Sequence, residues 1–201
     1  MSKRKFMNCH NITIERWQKN FGDDPRLSNL FDDFYTLVET RHTYAGRVRE
    51  LDVAYAEGSV SKHDYREGKR PYESQLKNIK PKLRKIFDHL FCNLLVAGNS
   101  GKCYICGEHL DMNTEFNRDH VFPKVMGFGI GGNMMPAHYH CNQGKDQRLP
   151  HDHEVVQAVN AYRFADVPFN PRRAKIGVME LLPQYSGIIP TPVHGKGFRY
   201  V

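Results

Sequence analysis

Along the first 98 residues the apolar positions advance in steps of three and four. Leu30, Phe34, Leu37, Tyr44, Val48, Leu51 and Tyr55 form one such series, with Arg41 as its one polar occupant. That spacing keeps one face of an α-helix apolar. It predicts a helix that starts after Asp24-Pro25 and stops near Gly58-Ser59, a rod of about 30 residues and roughly 45 Å at 1.5 Å per residue. A second series, Leu76, Ile79, Leu83, Ile86, Leu90 and Leu94, has the same period and ends at Gly98. Two complementary stripes in one chain predict an antiparallel helical hairpin that packs within the molecule, although pairing between two copies stays open. Pro81 lies inside the second series, where its missing N–H and its ring disturb the preceding turn, so a new helix or a kink is expected there. The linker SVSKHDYREGKRP is expected to hold a short helix, and Trp17 to belong to the core.

Residues 99–149 lose this period and are rich in glycine, histidine and cysteine. The GFGIGGN run follows no apolar strand and opens no GK[ST] helix, so it reads as a flexible loop instead of a phosphate cradle. Residues 150–201 carry one helix, from about Asp152 to Phe164 with Val155, Val156, Val159 and Tyr162 inward. A Pro/Gly-rich tail follows, expected to wrap the surface or an adjacent molecule. The chain therefore divides by pattern into 1–98, 99–149 and 150–201.

Composition narrows the class. With 201 residues, 40% hydrophobic and 25% charged, the chain can bury a core and is neither disordered nor of low complexity. The longest apolar run, near Leu90 to Ala97, is far short of a membrane span. No apolar h-region follows the basic N-terminus, so a cytoplasmic setting without disulfides is expected. Net charge is +7, with 18 basic against 13 acidic residues in 1–98, a balance of 5 and 5 in 99–149, and 6 against 4 in 150–201. The positive excess flanks a neutral centre, which suggests a polyanionic partner.

The cysteines carry the sharpest signal. Cys103-Tyr-Ile-Cys106-Gly is a C-x2-C knuckle, and 32 residues after Cys106 His138-Tyr-His-Cys141 supplies an H-x2-C pair. Two such pairs offer a Cys3His set for a tetrahedral zinc ion. His138 has the i, i+3 spacing to Cys141, while His140 is adjacent to it, and either remains a candidate for the fourth ligand. Four protein ligands leave no open position, so such an ion would hold the fold and take no part in chemistry.

Between the pairs lie Arg118-Asp119-His120-Val-Phe-Pro, then Gly131-Gly132-Asn133, then Cys141-Asn142-Gln-Gly-Lys145. Over residues 101–148, about a quarter of the chain, the sequence resembles the zinc-stapled HNH endonuclease family. It shows a Cys pair, a D-H followed closely by proline, a glycine-rich loop ending in Asn, and a second knuckle leading into C-[NH]-x-x-K. The resemblance implies a zinc-stapled ββα-metal nuclease module; with the mainly helical N-terminal region and the irregular C-terminal tail read from the pattern of residues, an α+β protein is expected. It implies a metal-dependent DNA endonuclease in which His120 is the general base for water. Asp119 and the Asn142 carboxamide would ligate one Mg²⁺ or Mn²⁺ ion, and Asn133 would orient the hairpin. Arg118 and Lys145 would contact phosphates of double-stranded DNA. Asn142 in place of a histidine favours an oxygen-liganded Mg²⁺ site, and His138 stands where a cysteine is usual. Small free-standing members of the family often belong to phages or mobile elements.

Each residue also has an ordinary reading: Asn142 as a helix cap, Gly132-Asn133 as a turn, Lys145 as a solvated charge. A zinc-stabilised module that binds nucleic acid or protein without turnover is the alternative. Basic clusters at Lys69-Arg70, Lys77, Lys80, Lys82, Arg84 and Lys85, at Arg172-Arg173-Lys175 and at Lys3-Arg4-Lys5 are candidates for phosphate contacts or simply solvated faces.

Overall fold

The computed structural model describes residues 14–111, 116–128, 132–169 and 188. The basic clusters at 3–5 and 172–175, the tail after residue 169 except residue 188, and positions 129–131 of the glycine-rich loop lie outside them. The elements run α1 (residues 14–21), α2 (Ser28–Ala56), α3 (Lys62–Gly98), β1 (Phe116–His120), a 3-10 turn (Lys124–Met126), β2 (Met134–His138), α4 (Tyr139–Lys145) and α5 (Asp152–Phe164). An α+β composition results, mostly helical with one two-stranded antiparallel sheet.

The chain divides into two compact units, Met1–Leu90 and Phe91–Val201. In the first, α2 and α3 form the expected hairpin. Tyr44 meets Tyr72 with ring centroids 5.9 Å apart, Tyr55 stacks on Tyr65 at 4.5 Å, and Asp52 takes an ion pair from Lys69 at 2.9 Å. As the number rises on one helix it falls on the other, the signature of antiparallel pairing. Gly58, at φ +74°, ends α2 because only glycine enters the left-handed region without strain; Ser59 N then donates to the Ala54 carbonyl at 2.9 Å. From α1, Trp17 is fully buried and stacks on Phe87 at 5.2 Å.

The second stripe departs from expectation. It is part of one helix of 37 residues that begins at Lys62 and contains both Pro71 and Pro81. Neither a separate short helix nor a new start at Pro81 occurs. A proline removes one intrahelical hydrogen bond and crowds one carbonyl. Burial of Ile79, Leu83 and Leu90 on one face of the same helix offsets that local cost.

The second unit joins what the pattern separated: residues 91–98, the cysteine-rich segment and α5 share one core. Phe91 packs edge-on against Tyr162 at 5.4 Å, and Asn99 Nδ2 donates to Gln157 Oε1 at 3.3 Å. Gly98 allows a close approach, since a Cβ there would sit 2.8 Å from Phe164 Cβ and 2.9 Å from the Ala161 backbone. On α5, Val155, Val159 and Tyr162 are buried as the period requires, joined by Ala158 and Ala161. Val156 is the correction: it is 42% exposed, because the core-facing stripe is completed by alanines on its far side. Among the described residues no helix is long and apolar enough to cross a membrane.

Candidate functional site

The first knuckle is a tight turn built by its own backbone. Cys103 N donates to Glu108 O at 2.8 Å, Gly107 N donates to Cys103 O at 2.9 Å, and Gly107 takes φ +76°. The second pair straddles the junction of β2 with α4, where β2 ends at His138 and Cys141 sits in the first turn. Pairing of β1 with β2 in the register Phe116↔His138 to His120↔Met134 brings the two knuckles together.

The ligand atoms of Cys103, Cys106, His138 and Cys141 all lie within 4.8 Å of one another, positioned to bind a metal ion such as zinc. Nδ1 of His138 is 3.5 Å from Cys106 Sγ and 3.8 Å from Cys141 Sγ, close to the edges of about 3.5–3.8 Å that a tetrahedral zinc site requires. The other ring nitrogen, Nε2, sits 3.0 Å from the His109 carbonyl. Donation to that oxygen leaves Nδ1 as the free base that faces the thiols. This selects His138 over His140, whose ring stacks on His138 at 5.1 Å. Burial pushes both partly covered thiols up, yet the Glu108 backbone contact and His138 bring Cys106 below its ordinary value. Cys141, crowded by the sulfurs of Cys106 and Cys103, is pushed up to about 12.

One residue inside the first knuckle reaches the second cluster. Tyr104 is fully buried and its hydroxyl donates to Asp119 Oδ2. Lys145 Nζ, from the end of α4, lies 3.1 Å from the same oxygen and donates to the His120 carbonyl at 2.8 Å. Its side chain has no solvent exposure. Lys145 is thus an interior ion-pair partner of Asp119, not an exposed phosphate contact, because α4 docks on β1 through this bond. Arg118, the other expected contact, is exposed on β1. Tyr104 was missed from the sequence, where its place between two cysteines reads only as packing.

Asp119 is 6% exposed, between exposed Arg118 and half-buried His120. An extended strand turns adjacent side chains to opposite faces, so Asp119 is the one directed at Tyr104 and Lys145. Both contacts fall on Oδ2, and no hydrogen bond to Oδ1 is found among the described residues. His120 Nε2 is buried without a hydrogen-bond partner. Burial holds this imidazole below its ordinary value; Asp119 opposes that, while Lys124 and Lys145 reinforce it. The ring is therefore neutral at pH 7 and able to accept a proton.

Asn133, fully buried, pins the chain just beyond His120. Its carboxamide donates to Phe122 O at 2.8 Å and accepts from Phe122 N at 2.9 Å, while its carbonyl accepts from Val121 N at 2.9 Å. Tyr162 holds the next residue, its hydroxyl bonded to both Met134 N and Met134 O at 2.9 Å. Asn142 is half-buried in α4, one turn before Lys145. The structure thus brings Asp119, Lys145 and the His120 backbone into direct contact, and Asn133 onto the segment that follows them.

Comparisons with protein-family models, with curated proteins and with solved structures found no match.

Proposed function

We propose that this protein is a metal-dependent DNA endonuclease of the HNH type, held together by a zinc ion on Cys103, Cys106, His138 and Cys141, with His120 as general base. The observation that carries the reading is the orphaned, buried Nε2 of His120 beside Asp119, on a β-hairpin that leads directly into α4. A buried ring nitrogen with no hydrogen-bond partner is costly, and a water bound beside it as substrate would supply one.

His120 Nε2 would take a proton from that water as the water oxygen bonds to phosphorus and the P–O bond to the departing 3′ oxygen breaks. Asp119 Oδ1 and the Asn142 carboxamide are hard oxygen donors that suit Mg²⁺ or Mn²⁺. Such an ion, when bound, supplies the positive charge that the phosphorane-like transition state demands. Asn133 fixes the backbone after His120, so the base does not have to be ordered at the moment of reaction. Arg118, exposed on the same strand, would contact phosphate oxygens.

One observation favours the alternative, a zinc-stapled module that binds nucleic acid or protein without turnover. Lys145 already supplies a cation to Asp119. Supercoiled plasmid incubated with purified protein and Mg²⁺ separates the readings. Wild type is expected to nick and His120→Ala to lose at least two orders of magnitude in rate, the usual contribution of a general base. Absence of nicking by both proteins would select the binding module.

A further inference from the structure

We infer that Tyr104 is the positioning residue for Asp119: its hydroxyl, presented from within the metal-binding knuckle, engages Oδ2 and so leaves Oδ1 as the oxygen offered to a divalent cation. This rests on the nuclease reading. Tyr104 stands between Cys103 and Cys106, two residues of the clamp, in a turn held by the Cys103–Glu108 and Gly107–Cys103 backbone bonds. Its ring is fully buried and its hydroxyl donates to Oδ2.

That oxygen is also taken by Lys145 at 3.1 Å, so the tyrosine is not needed to neutralise it. A phenylalanine would fill the same space. What the hydroxyl adds is a second anchor from a different element. A carboxylate held by a single ammonium group can still rotate about its Cβ–Cγ bond. Held on the same oxygen from the knuckle and from α4, it has one orientation. Groups that hold a metal's ligand in this way typically account for 10–100-fold in affinity or rate. The arrangement also links the two sites: anything that loosens the Cys3His clamp moves the residue that aims Asp119.

The test uses the full-length, zinc-loaded chain with Mn²⁺ alone, titrated by EPR, beside plasmid nicking resolved into kcat and KM. Tyr104→Phe is expected to keep one zinc per chain, to bind Mn²⁺ about tenfold more weakly and to lose about tenfold in kcat with KM for DNA unchanged. Equal Mn²⁺ affinity in wild type and a folded, zinc-loaded Tyr104→Phe would overturn the inference while leaving the nuclease reading in place if both nick. Weakened Mn²⁺ binding without nicking by either protein would retain the positioning role and remove the nuclease reading. Should Tyr104→Phe fail to fold, 3-fluorotyrosine at position 104 of the otherwise native chain gives the second measurement. Its ¹⁹F resonance is expected to shift as Mg²⁺ is added, and a resonance indifferent to Mg²⁺ would overturn the inference.

Discussion

Arg148 grips Glu154 with both prongs of its guanidinium, Nη2 to Oε1 at 2.5 Å and Nη1 to Oε2 at 2.8 Å, while Glu154 Oε2 also accepts the His151 backbone N–H at 2.8 Å. Glu154 is fully buried in the first turn of α5. The contact ties the loop after α4 to α5.

This pair makes stability depend on pH in a defined direction. Burial alone would raise the Glu154 carboxyl, but the Arg148 guanidinium and the His151 N–H outweigh it and hold the group below its ordinary 4.5. A depressed folded-state value contributes stability above the unfolded value, and that contribution is lost as pH falls through the folded one. Glu154→Gln is expected to cost about 2–3 kcal/mol at pH 7, less than a fully sealed pair because Arg148 is about one-third exposed. Urea unfolding from pH 7 to pH 3 should show the two proteins converging only below about 4.5.

The fourth ligand is decided by the hydrogen bond from His138 to His109. His138→Ala is expected to lose bound zinc and the cooperative unfolding of the second unit, since such an ion contributes folding free energy on the order of 10 kcal/mol. His140→Ala should keep one zinc per chain and change stability by less than about 1 kcal/mol. Elemental analysis after dialysis, with thermal unfolding, reads both.

At Gly98 a methyl group has nowhere to go, with Ala161 backbone atoms at 2.9 Å from its Cβ position. Gly98→Ala should therefore destabilise by about 1–3 kcal/mol through overpacking, despite alanine's higher helix propensity. Gly46, in the middle of α2 with open space around it, is the control. Alanine there should stabilise by about 0.5–1 kcal/mol, and denaturant midpoints for the two variants should move in opposite directions.

Lys77, Lys80 and Arg84 are exposed on α3, whose opposite face buries Ile79 and Leu83. If DNA is the partner, each phosphate contact they make adds about 0.9 to the slope of log affinity against log salt. Replacing all three by alanine should flatten that slope by roughly 2–3 and leave unfolding unchanged. An unaltered slope would assign these residues to a solvated face.

Much of this was legible from residue order because helices are local. The stripe from Leu30 to Tyr55 marked α2 and its end near Gly58, and Asp152 to Phe164 matched the bounds of α5. Pairwise spacing of Cys103, Cys106, His138 and Cys141 identified the cluster, since two short knuckles constrain their own ligands.

Tertiary structure alone decided the rest. Residues 91–98 and α5 join the cysteine-rich segment because side chains far apart in sequence bury each other, which no period reports. α3 continues through Pro71 and Pro81 because packing on a distant helix outweighs a local penalty. The choice of His138 required the His109 carbonyl, a backbone atom 29 residues away. Lys145 reads as a surface charge in any window of neighbours and becomes an interior cation only when α4 meets β1, with Tyr104 arriving from the knuckle. Chain order determines which side chains are present and how each helix is striped; which buried oxygen a distant hydroxyl or ammonium comes to satisfy is fixed only when the core closes.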